Sequence, residues 1–422
     1  MNYKKIKKNH YNIHIINDKR FHTVILKVFF TEDVSHDKIT YHNFIANLLT
    51  YASKNYDSKS KLLRKCQELY SMYPYASSGR LGNLLITKFT LCTLNSCYID
   101  ENYIKDNILL LKEIILNPLV ENKSFSKKYF EIVKDEQINE VKVQKEDPRL
   151  YANLRLLDIL EPDRNRNYTL TGFSDLELIP KLDGKILYES YLEMLNNSKI
   201  DIFISGNISN EKEVIRTITD NFSFPNNHYK LSSPYIRHFK KRRNIIVQKE
   251  TLPYNQSKIS LGIKAYDLNR REIKYVLPIF SNILGGGFNS LLMKEVRENN
   301  SLAYYISSYY NKLDSMIVIN SGIDKNNYDK VITLINEVLN NLKIGNFKIS
   351  YLKENILEYI SEIENLTNNN NSMIEYMYGR ELFKSESMEE KIKIVKKITK
   401  KDIVKLANKI RIEAIFYLEG DL

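Results

Sequence analysis

Arg297 and Tyr304 stand seven residues apart, at the end of one helical stretch and the start of a strand-like one. They follow a glycine triplet, Gly285, Gly286 and Gly287, within NILGGGFNSLLMKEVRENNSLAYYISS (282–308). Glycines between two helices permit a tight turn and positive φ. They do not make a phosphate loop here. GGGFNS lacks the last glycine of G-x-G-x-x-G, and no Lys-Ser/Thr pair follows. Taken alone, Arg297 reads as a surface charge and Tyr304 as a packing ring. Metal-binding patterns are equally sparse. His10 and His14 are four apart, but in text that reads as strand or N-terminal arm, where that spacing does not bring their rings together as a helix would. Cys66, Cys92 and Cys97 include no C-x-x-C and read as buried reduced thiols. There is no G-x-S-x-G, so serine and cysteine hydrolase chemistry has little support.

The elements that must position these residues come twice. Strand text at Tyr11–Ile16 and Thr23–Phe30 leads to a helix over Ile39–Lys54, where Phe44, Ile45, Leu48, Leu49 and Ala52 recur at helical spacing. A short helix at Ser60–Tyr70, strands near Tyr75–Ser78 and Leu84–Thr93, and helices at Ile104–Leu116, Ser126–Gln144 and Arg149–Ile159 follow. The half closes with a helix at Tyr188–Asn196, a strand at Ile200–Ser205 and a helix at Glu211–Asn221. From Asn244 the same order recurs. Strands at Asn244–Gln248 and Lys258–Ile263 precede helices at Arg271–Ile283 and Ser290–Glu298, and strands at Ala303–Ser308 and Met316–Ser321. Long helices then lead to a final strand at Ile412–Leu418. SKIDIFISGNI (198–208) resembles RIEAIFYLEGDL (411–422), and residues 60–89 resemble 290–319. The expected fold is α+β: two duplicated α/β-sandwich-like halves of about 200 residues each. Residues 1–221 form one half, 222–243 a linker, and 244–422 the other half.

Segment 282–308 resembles the C-terminal-half motif of the insulinase/pitrilysin zinc metallopeptidase family, in its short processing-peptidase-like branch. Leu284, Gly285–Gly287, Asn289–Ser290, Arg297 and Tyr304 fall where that pattern puts them. The resemblance implies that Arg297 and Tyr304 hold a substrate backbone and its oxyanion. A guanidinium and a phenol are suitable fixed donors for charge developing on a scissile carbonyl. It also implies an H-x-x-E-H zinc motif on the first long helix. Aligned on NFIANLLTYASKNY, the two histidine positions are Asn43 and Asn47, and the general-base position is Ala46. The third ligand position falls on Glu140. His42 is one residue out of register and reads as structural. Amides and a methyl group make no zinc cage.

The resemblance therefore implies a zinc-motif-less subunit of a heteromeric zinc peptidase, inactive alone. It would supply Arg297 and Tyr304 in trans to a homologous subunit carrying H-x-x-E-H, for cleavage of unfolded peptides. No cofactor is expected on this chain, and zinc is expected on the partner. A catalytically inactive peptide-binding or scaffold protein of the same fold is the alternative, and a homodimer remains open. Composition sets the remaining bounds. With 63 Lys+Arg against 51 Asp+Glu the net charge is +12, concentrated in RHFKKRR (237–243) and KIKIVKKITKK (391–401). These runs read as a solvated linker and a solvated helix face. No zinc-finger, RNP or winged-helix pattern supports nucleic-acid binding. No apolar run approaches a membrane span, and MNYKKIKKNHYNIHI has no apolar secretory core, so a cytoplasmic location is expected.

Overall fold

The computed structural model describes residues 2–421 apart from 100, 164–165, 167–169 and 226–228; the Lys145 side chain is also not described. Asn226, Asn227 and His228 of the expected linker thus lie outside the described residues. Thirteen strands are present among the described residues. They are β1 Asn2–Lys7, β2 Asn12–Asn17, β3 Thr23–Asp33, β4 Tyr75–Leu81, β5 Leu84–Leu94, β6 Val120–Glu121, β7 Ser124–Phe125, β8 Lys199–Gly206, β9 Ile246–Leu252, β10 Ser257–Ala265, β11 Ala303–Asn311, β12 Met316–Ile323 and β13 Ile410–Gly420.

One sheet has the order β1-β2-β8-β3-β5-β4, the other β11-β12-β10-β13-β9, and β6 and β7 form a separate pair. Matched by position in the repeat, β2-β8-β3-β5-β4 and β9-β13-β10-β12-β11 run in the same order. Both contain one parallel pair, β2 with β8 and β9 with β13, among antiparallel neighbours. The duplication read in the sequence is thus a duplication of topology. β1, an edge strand absent from the sequence reading, is an addition to the first copy.

The chain divides into two compact units that do not follow a single cut. One comprises Met1–Lys142, Gly172–Ser232 and Thr367–Gly379; the other comprises Val143–Thr171, Ser233–Leu366 and Arg380–Leu422. Each unit therefore includes a helical segment from the opposite half of the sequence. The patterning of β3 explains why this is needed. TVILKVFFTED has almost no polar alternation, which marks a strand buried on both faces. Val24, Leu26, Val28 and Phe30 enter the main core of the first unit, beneath the helices His36–Tyr51, Ile104–Leu116 and Gly184–Asn197. Lys27, Phe29 and Thr31 point to the opposite face and meet the helix Asn370–Phe383. Phe29 stacks on Tyr378 with ring centroids 3.9 Å apart, and Thr31 shares a 2.6 Å hydrogen bond with the Tyr378 hydroxyl. Asn370 donates to the carbonyls of Thr23 and Ser205, both at 3.0 Å.

β10 repeats the scheme in the second unit. Ile259, Leu261, Ile263 and Ala265 enter its main core. The other face meets the helix Pro148–Leu160, whose Leu156, Leu157 and Leu160 pack with Val318, Phe416 and Leu418. Gly262 makes room for that helix, since a Cβ there would lie 2.5 Å from Leu160 Cδ1.

The basic run 237–243 is not simply solvated linker. Arg242 donates to the carbonyls of Ile159 and Leu160 at 2.8 and 2.6 Å, capping the C-terminus of that helix. His238 is 2.7 Å from the Asp314 carbonyl, and Lys241 lies over the Tyr266 ring.

Candidate functional site

Segment 272–298 departs repeatedly from regular α-helix. Glu272–Val276, Asn282–Gly286 and Met293–Glu298 are π-helical turns, with Gly287 N–H reaching the Asn282 carbonyl at 2.9 Å and Asn299 N–H reaching that of Lys294 at 2.8 Å. Such turns concentrate where a backbone must present side chains out of helical register. Gly285 and Gly286 lie in the second, Arg297 in the third.

None of the three glycines takes a positive φ; close packing requires them instead. A Cβ on Gly285 would lie 2.9 Å from the Ser308 amide nitrogen, and one on Gly286 would lie 3.0 Å from the Ser308 carbonyl. A Cβ on Gly287 would sit 2.2 Å from Asn355 Oδ1. The loop is thus clamped between β11 and the helix Ile349–Asn365. Phe288, next in line, is 94% exposed. Its amide donates to Glu358 at 3.3 Å, and Asn289 donates to Glu354 at 2.7 Å.

Arg297 is exposed and contacts Met293 Sδ at 3.8 Å; no carboxylate among the described residues pairs with it. Tyr304 is 51% exposed. It sits at a bulge: Ala303 pairs with Ile323 and Tyr305 with Gly322, so Tyr304 has no opposite residue. A bulge redirects a side chain that regular pleating would have turned elsewhere. The Tyr304 hydroxyl donates to Asp324 at 2.8 Å. This hydrogen bond and the Asp324 charge push the phenol above its ordinary value, so it keeps its proton.

In the first unit, the helix His36–Tyr51 buries Phe44, Ile45, Leu48 and Leu49, leaving Asn43 and Asn47 half-buried on another face. Ala46 is 1% exposed. A directed series of donors occupies this place. Asn43 donates to Ser174 Oγ at 3.1 Å, Ser174 to Gln137 Oε1 at 3.0 Å, and Gln137 to Glu140 Oε2 at 3.4 Å. Asn47 donates to the Asn43 carbonyl at 3.2 Å. These neutral amides do not fit a zinc ion, and no metal chemistry is derived for this chain. Among the described residues no group of three or more His, Cys, Asp or Glu is arranged to hold a metal. Gln137 and Ser174, absent from the sequence reading, complete the series, and no motif spacing marks them.

His42 and His14 have structural partners. His42 lies buried with Nε2 2.7 Å from Glu32 and Nδ1 2.7 Å from the Thr87 hydroxyl. Burial alone would raise the Glu32 carboxyl, but the bond and charge of His42, with Lys38, hold it below its ordinary value. His14 is buried on β2, 3.0 Å from Asp201 and stacked on Phe203. No helix among the described residues is long and apolar enough to cross a membrane.

Residues 181–365 match the family described as Peptidase M16 inactive domain. A Bacillus subtilis protein named Probable inactive metalloprotease YmfF is 22% identical over 412 residues, 96% of this chain and 95% of the relative. A second from that organism, Uncharacterized zinc protease YmxG, is 28% identical over 193 residues, 44% of this chain and 45% of the relative. Among solved structures, a conserved protein from Enterococcus faecalis superposes with a TM-score of 0.90 at 24% identity, covering 100% of this chain and 99% of that one. A peptidase M16 inactive domain from Pseudomonas fluorescens gives 0.78 at 14% identity, covering 100% and 99%. These two likenesses are of fold.

Proposed function

Taking as premise that this chain is an insulinase-like member of the M16 peptidase family without the zinc-binding motif, we propose that it is the zinc-free subunit of a heteromeric peptidase. Its contribution is Arg297 and Tyr304, presented to a homologous subunit that carries H-x-x-E-H. Arg297 offers fixed N–H donors and a positive charge to the substrate backbone. Tyr304 offers one O–H donor to the carbonyl oxygen as negative charge develops there. Its proton now goes to Asp324, so engaging substrate exchanges one acceptor for another. Metal and attacking water belong to the partner.

The observation that carries this reading is the outward presentation of both side chains from irregular backbone, a π turn for Arg297 and a bulge for Tyr304. Side chains kept only for packing would not need either device.

The test is to purify this chain and an H-x-x-E-H homologue separately, then mix them over an unfolded peptide. Activity should appear only in the mixture, and Tyr304→Phe should lower its turnover by about 100-fold. Full activity from this chain alone, or an unchanged rate with Tyr304→Phe, rejects the assignment. The exposed Phe288 beside the glycine loop also suits a catalytically inert peptide-binding protein. Under that reading peptide binds this chain alone, is weakened by Phe288→Ser, and is indifferent to Tyr304→Phe.

A further inference from the structure

Within the basic run 237–243 some members have partners, whereas Arg237 has none among the described residues. Arg242 caps a helix, Lys241 covers a ring, and Arg243 accepts a bond from Arg411 through its carbonyl. Arg237 does none of these. It lines a cleft of about 270 Å³ in the second unit, together with Arg270 and Lys384. None of these three cations forms an ion pair with a carboxylate among the described residues, and no acidic residue lines the cleft. Arg270 is steadied by donating to the Lys384 carbonyl at 3.1 Å. Lys384 itself has a φ of 46°, in the left-handed region that non-glycine residues enter at a cost. The lining also holds two aromatic rings, Tyr235 and Phe383, with centroids 6.1 Å apart.

We propose that this cleft binds a small phosphorylated anion, with Arg237, Arg270 and Lys384 as the charged donors and Tyr235 and Phe383 as its apolar wall. Three cations lining one cleft call for more than one negative charge. Two guanidinium groups match phosphate oxygens through paired N–H donors. An aromatic wall lowers the local dielectric and strengthens the attraction. The volume lies just under the range of about 300–1,000 Å³ for drug-sized ligands, so the ligand is small.

Further lysines lie close to the residues of the cleft. Lys274 is buried and paired with Glu386 at 3.0 Å, and Lys312 lies over the Phe383 ring. Burial, with Lys312 as the largest charge contribution, pushes Lys391 down to about 8.

The probe is inorganic pyrophosphate, titrated calorimetrically into the full-length chain at low salt. One site is expected. The Arg237→Gln/Arg270→Gln double variant should bind at least about tenfold more weakly, since each lost charge-assisted bond is a strong one. Lys330→Gln, an exposed lysine on the helix Tyr328–Ile344, should bind as the parent does. ADP binding at the same site, competing with pyrophosphate, also upholds the proposal and would bring a ring to Tyr235 and Phe383. The proposal is overturned by absence of pyrophosphate binding, by equal weakening in Lys330→Gln, or by citrate binding more tightly than pyrophosphate. Binding of a single-stranded oligonucleotide without pyrophosphate would likewise overturn it.

Discussion

Lys27 is a buried ammonium whose counter-charge arrives from far along the chain. Its side chain is 0% exposed, and Nζ lies 2.7 Å from Glu375 Oε1 and 2.5 Å from Asn371 Oδ1. At an effective dielectric of about 20 the direct attraction at that distance is about 6 kcal/mol, much of it offset by desolvation. Removing the carboxylate alone strands the cation. Such losses run at about 3–5 kcal/mol. The lower end applies here, because Glu375 is 36% exposed and Asn371 remains an acceptor. Glu375→Leu should therefore destabilise the first unit by about 3 kcal/mol, lowering its thermal midpoint by about 6–12 °C. Lys27→Met/Glu375→Leu should recover most of the loss, since an apolar pair can replace a buried ionic one. The pair should also respond to acid. Burial would raise the Glu375 carboxyl, but the bond and charge of Lys27, with Lys88, leave it below its ordinary 4.5. Its stabilisation is full above pH 4.5 and fades as pH falls through the depressed value. Differential scanning calorimetry from pH 7 to pH 3 measures all of this. A single-variant shift under about 2 °C, or a double variant as unstable as the single, would refute the reasoning.

Gly287→Ala should cost about 1–3 kcal/mol, because Asn355 is buried and cannot move aside from a Cβ 2.2 Å away; chemical denaturation reads it, and a neutral result removes the packing role given to that glycine. Arg242→Ala should cost about 1 kcal/mol by leaving the Ile159 carbonyl without its donor and the Leu160 carbonyl with only Lys264, whereas Lys240→Ala should cost nothing measurable. Lys391, pushed down to about 8, releases its proton earlier folded than unfolded. Its contribution should make the fold more stable as pH rises from 8 towards 10.5, and Lys391→Met should abolish that gain in urea melts at the two pH values.

How far the sequence discloses this molecule depends on what leaves a periodic trace. The helices Ile104–Leu116 and Glu211–Asn221 are read to the residue, and β5, β8 and β12 to within two, because alternation and helical spacing record burial directly. The matched texts of the two halves foretell the matched strand orders. The continuous apolar run of β3 announces that both its faces are covered, but not that the cover comes from residues some 350 positions later. The π turns and the bulge at Tyr304 break periodicity, so only residue types and their spacing point to them. Asn43, Ala46 and Asn47 are legible as departures from a motif. The donor series through Ser174 and Gln137 is not, since hydrogen-bond partners distant in sequence carry no local signature.

The helix Asn370–Phe383 also sets a timetable for synthesis. The first unit includes Thr367–Gly379 as well as its strands from the start of the chain. While a ribosome is still translating, the outward face of β3 waits with Phe29 and the Lys27 ammonium uncovered until the helix Asn370–Phe383 has emerged. A prematurely terminated product would carry that bare face permanently, inviting self-association and disposal by chaperones and proteases. Maturation of the amino-terminal sheet is thereby tied to successful completion of the carboxyl-terminal half.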